Sequence, residues 1–543
     1  MTDNTPQYYA AITADARRIL LKAIIDITDP DIVYSPAQSN SMSEYSNLPQ
    51  LYDREFSGPA RYATLEQNRW LLDGSFAILP DDPADCEGQI GYMSDAMCDE
   101  DGEFSPPVYL AQPFSGVSVL QACSIYFPSE EEDGYPTDFT VEIFSGDAAY
   151  FTKQFTGNDT PRVDIEGFTV NNPTEIRVTV TRWSIPYRRF RALEIIPGLY
   201  EEWDGDMIAE FSVTQQASFS CLSLPYGSCA LSIDNLDRRF EPRNKNGIFK
   251  SLEERQGIEV YIGVAAPDGT VNWRPLGVFY QYAGGWRTSD NGITIRWELV
   301  DIIGLVSGRQ YIPPDALPTT LSGWIASVVA QLGVNFEDKY TVDANYANIS
   351  ITANNAEAVT GKSCGEILRM VCMAAGVFPR ADVKTGYLTI EPLWNEGTKV
   401  TLDNLVSYPV MQANDDLAAI IFTLANENST EYVVAGNNTA SGNTVQVQNP
   451  FIHTAEQALA AARLILQTYG GNKIETTGRG NPASEIGDVD TVWLGASSAV
   501  AARRMMQTFK MQNGVLQGCQ STLLPADGPF RLENRAGITP TCS

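Results

Sequence analysis

Apolar runs in this sequence are short, and turn residues break them every few positions. Between Trp70 and Ile196 the runs Val117–Val119, Ser124–Phe127, Phe139–Phe144, Ala149–Phe155, Arg162–Ile165, Glu175–Thr181 and Arg191–Ile196 are parted by Ser145-Gly146-Asp147, Gly157-Asn158-Asp159 and Asn171-Asn172-Pro173. Short strands at this spacing predict a β-sandwich. An earlier strand is expected within 17–34, where Ile25 and Ile27 alternate with Asp26 and Thr28.

After Trp203-Asp204-Gly205 the strand pattern resumes at 208–214, 228–233, 258–263, 277–282 and 293–299, with a hairpin expected at Asp290-Asn291-Gly292. The period then changes. Residues 321–332 and 364–375 carry apolar side chains at i, i+3, i+4 and i+7 and predict two helices, the second stopped by Gly376 and followed by a hairpin turning at Lys384-Thr385-Gly386. Strands return at 418–424, 431–434 and 444–447, a helix is expected from Thr454, its cap with Gln457 in the third helical position, to about Tyr469, and closing strands end in a hairpin at Asn513-Gly514. The expected fold class is therefore mainly β and multidomain (α+β). Its parts are an opening segment and first strand at 1–50, a β-sandwich at 51–200, a β-barrel-like domain completed by 201–305, an α/β domain at 306–410, a second barrel with one helix at 411–525 and a tail at 526–543. A length of 543 residues fits three to five domains.

Charge narrows the functional classes. The chain carries 37 basic and 67 acidic residues, a net of −30, which repels phosphate backbones and argues against nucleic-acid binding. Half of that excess lies in 51–200, with 25 acidic and 10 basic residues, as expected of a separate domain. The segment 19–27 is interrupted by Lys22 and Asp26 and is neither a secretory core nor a membrane span, so a chain made and kept soluble, with no membrane insertion, is expected. Nine scattered cysteines, without a CxxC or Cys/His cluster, point to reduced thiols; a Cys86–Cys98 pair is the one disulfide considered.

Catalytic marks are few. The one histidine, His453, stands just ahead of the helix at Thr454 and reads as a residue of that helix's approach rather than a base; GxSxG, HExxH and Walker motifs are absent. Two features admit ligands. From Asp81 to Glu103 there are nine carboxylates and no Lys or Arg; Asp81, Asp82, Asp85, Asp99, Asp101 and Glu103 could supply oxygens to a structural calcium, the alternative being a solvated acidic loop. The stretch 183–191 sets Trp183, Tyr187, Arg188 and Arg189 in an acidic domain; aromatic faces and forked donors suit a glycan, the alternative being packing and ion pairing.

Two resemblances extend these readings. LEQNRWLLDGSFAILP (65–80), SIYFP (124–128), DFTVEIFSGD (138–147) and TEIRVTVTRWSIPYRRFRALEIIPG (174–198) resemble the galactose-binding-like, discoidin (F5/8 type C) jelly roll, which implies glycan-binding loops and a structural calcium. ALSIDNLDRRFEPRN (230–244), QGIEVYIGV (256–264), PLGVFYQY (275–282), WELVDIIGLV (297–306), GEILRMVCMAAGVFPRADVKTGYLTIEPL (365–393), RGNPASEIGDVDTV (479–492) and the closing hairpin at 505–523 resemble, in order and spacing, the hub or tail-associated protein of long-tailed phages. That likeness implies a non-enzymatic homotrimer whose paired β-barrels match the hexameric tail tube, with the jelly roll inserted in the first barrel. Its implied partners are the distal tail protein and tube, the tape-measure protein, tip or receptor-binding proteins, a host surface glycan, and DNA that passes without being bound. The implied location is the tail tip or baseplate of the virion, assembled in the host cytoplasm. The rival of another class is a glycoside hydrolase, using two carboxylates within 206–525 and a discoidin-type binding module.

Overall fold

A computed structural model describes residues 6–14, 17–53, 60–71, 73–78, 80, 82–86, 88–129, 132–241, 243–244, 247, 252, 254–266, 269–282, 284–289, 292–394, 396–413, 417–427, 429–435, 443–469, 472–495, 498–512, 515–526 and 541–542. The chain is mainly β and forms two compact bodies, one made of 1–24, 202–234 and 257–543, the other of 25–201 with 235–256.

In the first body one sheet runs in the order Gly257–Ala265, Val271–Tyr280, Thr294–Val300, Ser228–Asp234, Ile208–Gln216, Ser498–Gln512, Val515–Pro525, Lys473–Gly478 and Val410–Gln412. The strands expected in two separate barrels are therefore joined. Ile208–Gln216 pairs antiparallel with Ser498–Gln512, Glu210 facing Gln512 and Gln216 facing Met506, so the edge of one β region is the neighbour of the other. The join has polar bolts. Thr214 and Thr508 share a hydroxyl hydrogen bond of 3.0 Å, and the buried Gln507 amide donates to Gln215 Oε1 and to the Ser484 carbonyl at 2.8 Å while its oxygen accepts from Arg504 at 3.0 Å. All three hydrogen-bonding positions named for Gln507 are used, the condition under which a buried amide is tolerated.

Helices α1 (Pro6–Thr13), α2 (Ile302–Ser307), α3 (Leu321–Val329), α4 (Ala344–Ala347), α5 (Cys364–Ala375) and α6 (Ala455–Tyr469) belong to this body. The expected helices at 321–332, 364–375 and 454–469 correspond to α3, α5 and α6. Ser363 and Glu366 close a reciprocal capping box on α5, and Thr454 and Gln457 do the same ahead of α6. Trp324, Ile325, Val328, Ile367, Leu368, Val371, Ala461 and Ile465 share one core with Ile420 and Phe422 of the strand Leu417–Thr423. The hairpin after Gly376 forms as Arg380–Ala381 against Leu388–Ile390. The turns expected at Asp290-Asn291 and Asn513-Gly514 lie outside the described residues, although their flanking strands pair, Ser289 with Thr294 and Gln512 with Val515.

The second body has two layers of sheet around one core. The larger follows the order Val33–Tyr34, Glu103–Ser115, Glu175–Trp183, Pro136–Ser145 and Ala148–Phe155; the other contains Glu194–Ile196, Val119–Tyr126 and Arg162–Asn171. Leu110, Val141, Ile143 and Val178 of the first meet Ile125, Ile165 and Ile195 of the second in the core. The strand Glu103–Ser115 is not expected from the sequence, because Pro106 and Pro107 interrupt it. The ladder accommodates them in an irregularity: Val108 pairs Val180, and the next pair is Glu103 with Arg182, so neither proline needs a ladder partner. Residues 235–256, read from sequence as part of the first barrel, lie in this body through charge: Arg239 bridges Glu166 at 2.7 Å and Glu201, and Arg255 grips both oxygens of Asp31 at 2.8 and 2.7 Å.

Gly376 ends α5 in the left-handed region with φ 69°, and a Cβ there would stand 2.7 Å from Ala460 Cβ on α6. Gly376→Ala therefore strains the backbone and overpacks the α5–α6 contact, costing about 1–3 kcal/mol, to be read as a lower urea midpoint of the full chain.

Candidate functional site

The stretch 183–191 is turned inward by the company its side chains keep. Trp183 is buried, its indole donates to the Asp133 carbonyl at 2.8 Å, and its ring packs with Phe104, Phe127 and Phe190. Arg188 is also buried and spends its guanidinium on main-chain carbonyls, Glu132 and Gln67, each at 2.6 Å. Arg189 donates to the carbonyls of Ser94 and Asp95 at 2.7 and 2.8 Å. Of the four residues considered for a glycan, Arg189 is half-buried and Tyr187 is exposed, to 39%, in the left-handed region at φ 56°. Packing and pairing thus occupy Trp183, Arg188 and Arg189, and the structure does not assemble the four into one exposed platform.

The pairing joins Arg191, at the end of that stretch, and Asp133 to Glu66 and Arg69, which the sequence did not single out. Glu66 accepts from both arms of Arg191, one at 2.8 Å, from Thr64 Oγ1 at 2.7 Å and from the Arg189 N–H at 2.8 Å; Arg69 donates through Nε to Asp133 at 2.5 Å. All four of Glu66, Arg69, Asp133 and Arg191 are buried. Burial alone would raise the Glu66 carboxyl, but the Arg191 charge and these donors outweigh it and hold the group down to about 2. The surplus of arginine in an acidic segment was the available signal; which acids would answer it depends on Glu66 and Asp133 meeting across 67 positions.

Among the described residues the acidic stretch does not converge on one point. Asp81 lies outside the described residues; Asp85 ends a short turn at 83–85, and Asp99 accepts the N–H groups of Asp101 and Glu103 at 2.9 and 2.8 Å, a local turn. Among the described residues no three acidic, thiol or imidazole groups, Asp82, Asp85, Asp99 and Asp101 included, come together as a calcium site requires. Cys86 and Cys98 are both free thiols, so the disulfide considered between them does not form.

Catalytic candidates fare similarly. The ring nitrogens of His453 face the carbonyls of Ala425 at 2.7 Å and Thr352 at 2.8 Å, the positions a substrate proton would need. Asp301 is pushed up to about 7 by burial, against backbone donors, yet it is the cap of α2, accepting from Gly304 at 2.9 Å and Gly227 at 2.5 Å. The cavity it lines with Asp382 measures about 30 Å³, room for about one water and not for a sugar ring. Among the described residues no helix is long and apolar enough to cross a membrane.

The surface feature that stands out is a sheet edge. Val410–Gln412 is the last strand of the long sheet, and Val406, Tyr408, Val410 and Met411 are exposed in and before it, Tyr408 to 73%. An apolar strand with an open backbone edge invites pairing with another chain.

Replacing Glu66 with Gln should leave Arg191 and Arg69 sharing one buried carboxylate, at a cost of about 3–5 kcal/mol in denaturant unfolding at neutral pH. Because the Glu66 carboxyl lies below its usual value of 4.5, its stabilisation is present above that pH and is lost as the pH falls toward 2. The wild type should lose more stability than Glu66→Gln across that window.

Neither a protein-family model nor a curated protein matches the chain. Among solved structures it is similar to the tail protein from Neisseria meningitidis MC58, with 12% identity over 61% of this chain and 94% of that one and a TM-score of 0.39. It is similar to the 43 kDa tail protein of prophage MuSo2 from Shewanella oneidensis, with 15% identity, 60% and 94% covered and a TM-score of 0.39. A prophage tail protein from Listeria monocytogenes EGD-e shares 9% identity, with 61% and 92% covered and a TM-score of 0.36. Likeness at these scores carries no argument about what this chain does.

Proposed function

We propose that the chain is a non-enzymatic structural protein of a phage tail, the hub of a tail tip or baseplate. The observation that carries this reading is the joining of the 208–300 and 473–525 strands into one sheet that ends in an exposed apolar edge at 406–411. Such a sheet is a rigid plate with a place for another chain to attach, as a ring component needs. The sequence likeness to tail hubs supplies the rest of the reading. Three copies, each with two β regions, match a hexameric tube; the distal tail protein, the tape-measure protein and tip proteins are the neighbours; the body built on 25–201 is an accessory insertion. The net charge of −30 suits a channel component that DNA slides past without sticking. The glycoside hydrolase reading draws no support from Asp301, whose cavity with Asp382, about 30 Å³, does not admit a sugar ring.

Light scattering of the purified full chain should give a trimer, or a monomer that trimerises when tube protein is added; a protein monomeric under both conditions and absent from assembled tails defeats the reading. Tyr408→Lys with Val410→Lys should weaken self-association or tail incorporation while leaving the circular dichroism of the chain unchanged. Assembly unaffected by this double change would remove the edge from the argument.

A further inference from the structure

A cavity of about 360 Å³ in the first body lies where α1 meets the closing strands. Tyr8 and Ile12 fix that helix, packing with Val264 and Ala483, and the Tyr8 hydroxyl donates to Asn481 at 2.7 Å. Its lining has two characters. Tyr9, Ile12 and Leu405 supply apolar surface, whereas Arg17, Lys399 and Arg504 supply three cations; no acidic residue lines it among the described residues. In a chain of net charge −30 this is an inversion of the surrounding field.

Two of the three cations, Arg17 and Lys399, are not answered by a carboxylate among the described residues. The Arg17 guanidinium donates to the main-chain carbonyls of Gly480, at 2.9 Å, and Arg479, and meets no carboxylate among the described residues. Burial, and next the Arg479 charge, pull it down to about 10, which marks a cation held where an anion is missing. Lys399 has no ion pair among the described residues. Arg504 is buried and paired with Asp490, which also accepts from Thr398 N and Oγ1, both at 2.9 Å, so that one carboxylate is shared among three donors beside the cavity. A carboxylate placed against these cations would make charge-assisted hydrogen bonds. Burial pushes the Cys519 thiol up, so it adds no negative charge to the lining at neutral pH.

We propose that this cavity binds a small organic carboxylate, its acid group among Arg17, Lys399 and Arg504 and its apolar part against Tyr9, Ile12 and Leu405. The volume falls within the range of about 300–1,000 Å³ usual for small-molecule sites. Bound there, the ligand ties the N-terminal helix to the closing strands of the same body, a role that does not depend on the hub assignment.

The test is isothermal titration and thermal melting of the full chain with glutarate and with benzoate, inorganic phosphate and benzyl alcohol serving as comparison probes. Binding of at least one carboxylate with a raised melting temperature is expected, with no binding of the neutral alcohol. Arg17→Met should weaken that binding by about tenfold or more, the loss of one charge-assisted contact, and Lys399→Met, at an exposed position, by a smaller factor without altering the unliganded melting temperature. Lys510→Met, a cation outside the lining, should change nothing. The proposal is overturned if neither carboxylate binds at about 10 mM, a concentration above the millimolar Kd of even a weak site. It is equally overturned if phosphate alone binds, or if Arg17→Met and Lys399→Met bind the carboxylates as the wild type does.

Discussion

The first body depends on one strand pairing. Ile208–Gln216 and Ser498–Gln512 are separated by nearly three hundred positions, yet their ladder joins the two halves of the large sheet: on one side lie the strands from 228 to 300, on the other those from 410 to 525. Loop closure over such a separation is entropically expensive, so the register must be strongly specified once formed. Phe211 and Val213 on one strand and Phe509 and Met511 on the other bury one set of faces. Gln215 and Gln507 then fix the register chemically, because a slip of one residue would turn these amides to the other face and leave the Ser484 carbonyl and the Arg504 guanidinium without their partners.

Arg504 extends that constraint into the cavity beneath α1. It answers Asp490, Gln507 and Ser521 at once, and so links the strand pairing, the segment at 397–405 and the closing hairpin. A network so nearly satisfied is rigid, and it holds the Arg504 side chain at the wall of the neighbouring cavity.

The second body solves a different problem. Its segment 51–200 carries a net charge of −15, and a compact acidic body is stable only if the acids it buries are answered. Arg191 and Arg69 do this for Glu66 and Asp133 inside, and Arg239 for the partly buried Glu166 and Glu201. Arg239, and Arg255 through its pair with the exposed Asp31, come from 235–256 and tie that segment to 25–201 although it follows the return to the first body in sequence. Trp183, Arg188 and Arg189 look like recognition residues on paper because aromatic rings and forked donors serve binding and burial equally well; only their neighbours distinguish the two uses.

Local structure was largely legible. The alternation at 139–144 and 175–181, the i, i+3, i+4 spacing in 364–375, and the Thr454–Gln457 cap follow from side-chain period and short-range hydrogen bonds, which a linear sequence carries in full. The strand at 103–115 was hidden because its prolines break the local rule and are excused only by a ladder irregularity opposite Arg182. By itself, then, the sequence determined the mainly β class, the change to helices between 321 and 375, and the concentration of acid in 51–200. Tertiary structure alone decided that two expected barrels share one sheet, that Glu66 and Asp133 are the acids the arginines answer, and that Arg17, Lys399 and Arg504 line one cavity. Pairing across hundreds of residues is set by which faces and charges are left unanswered after local structure forms, and that remainder is a property of the fold, not of any stretch of the chain.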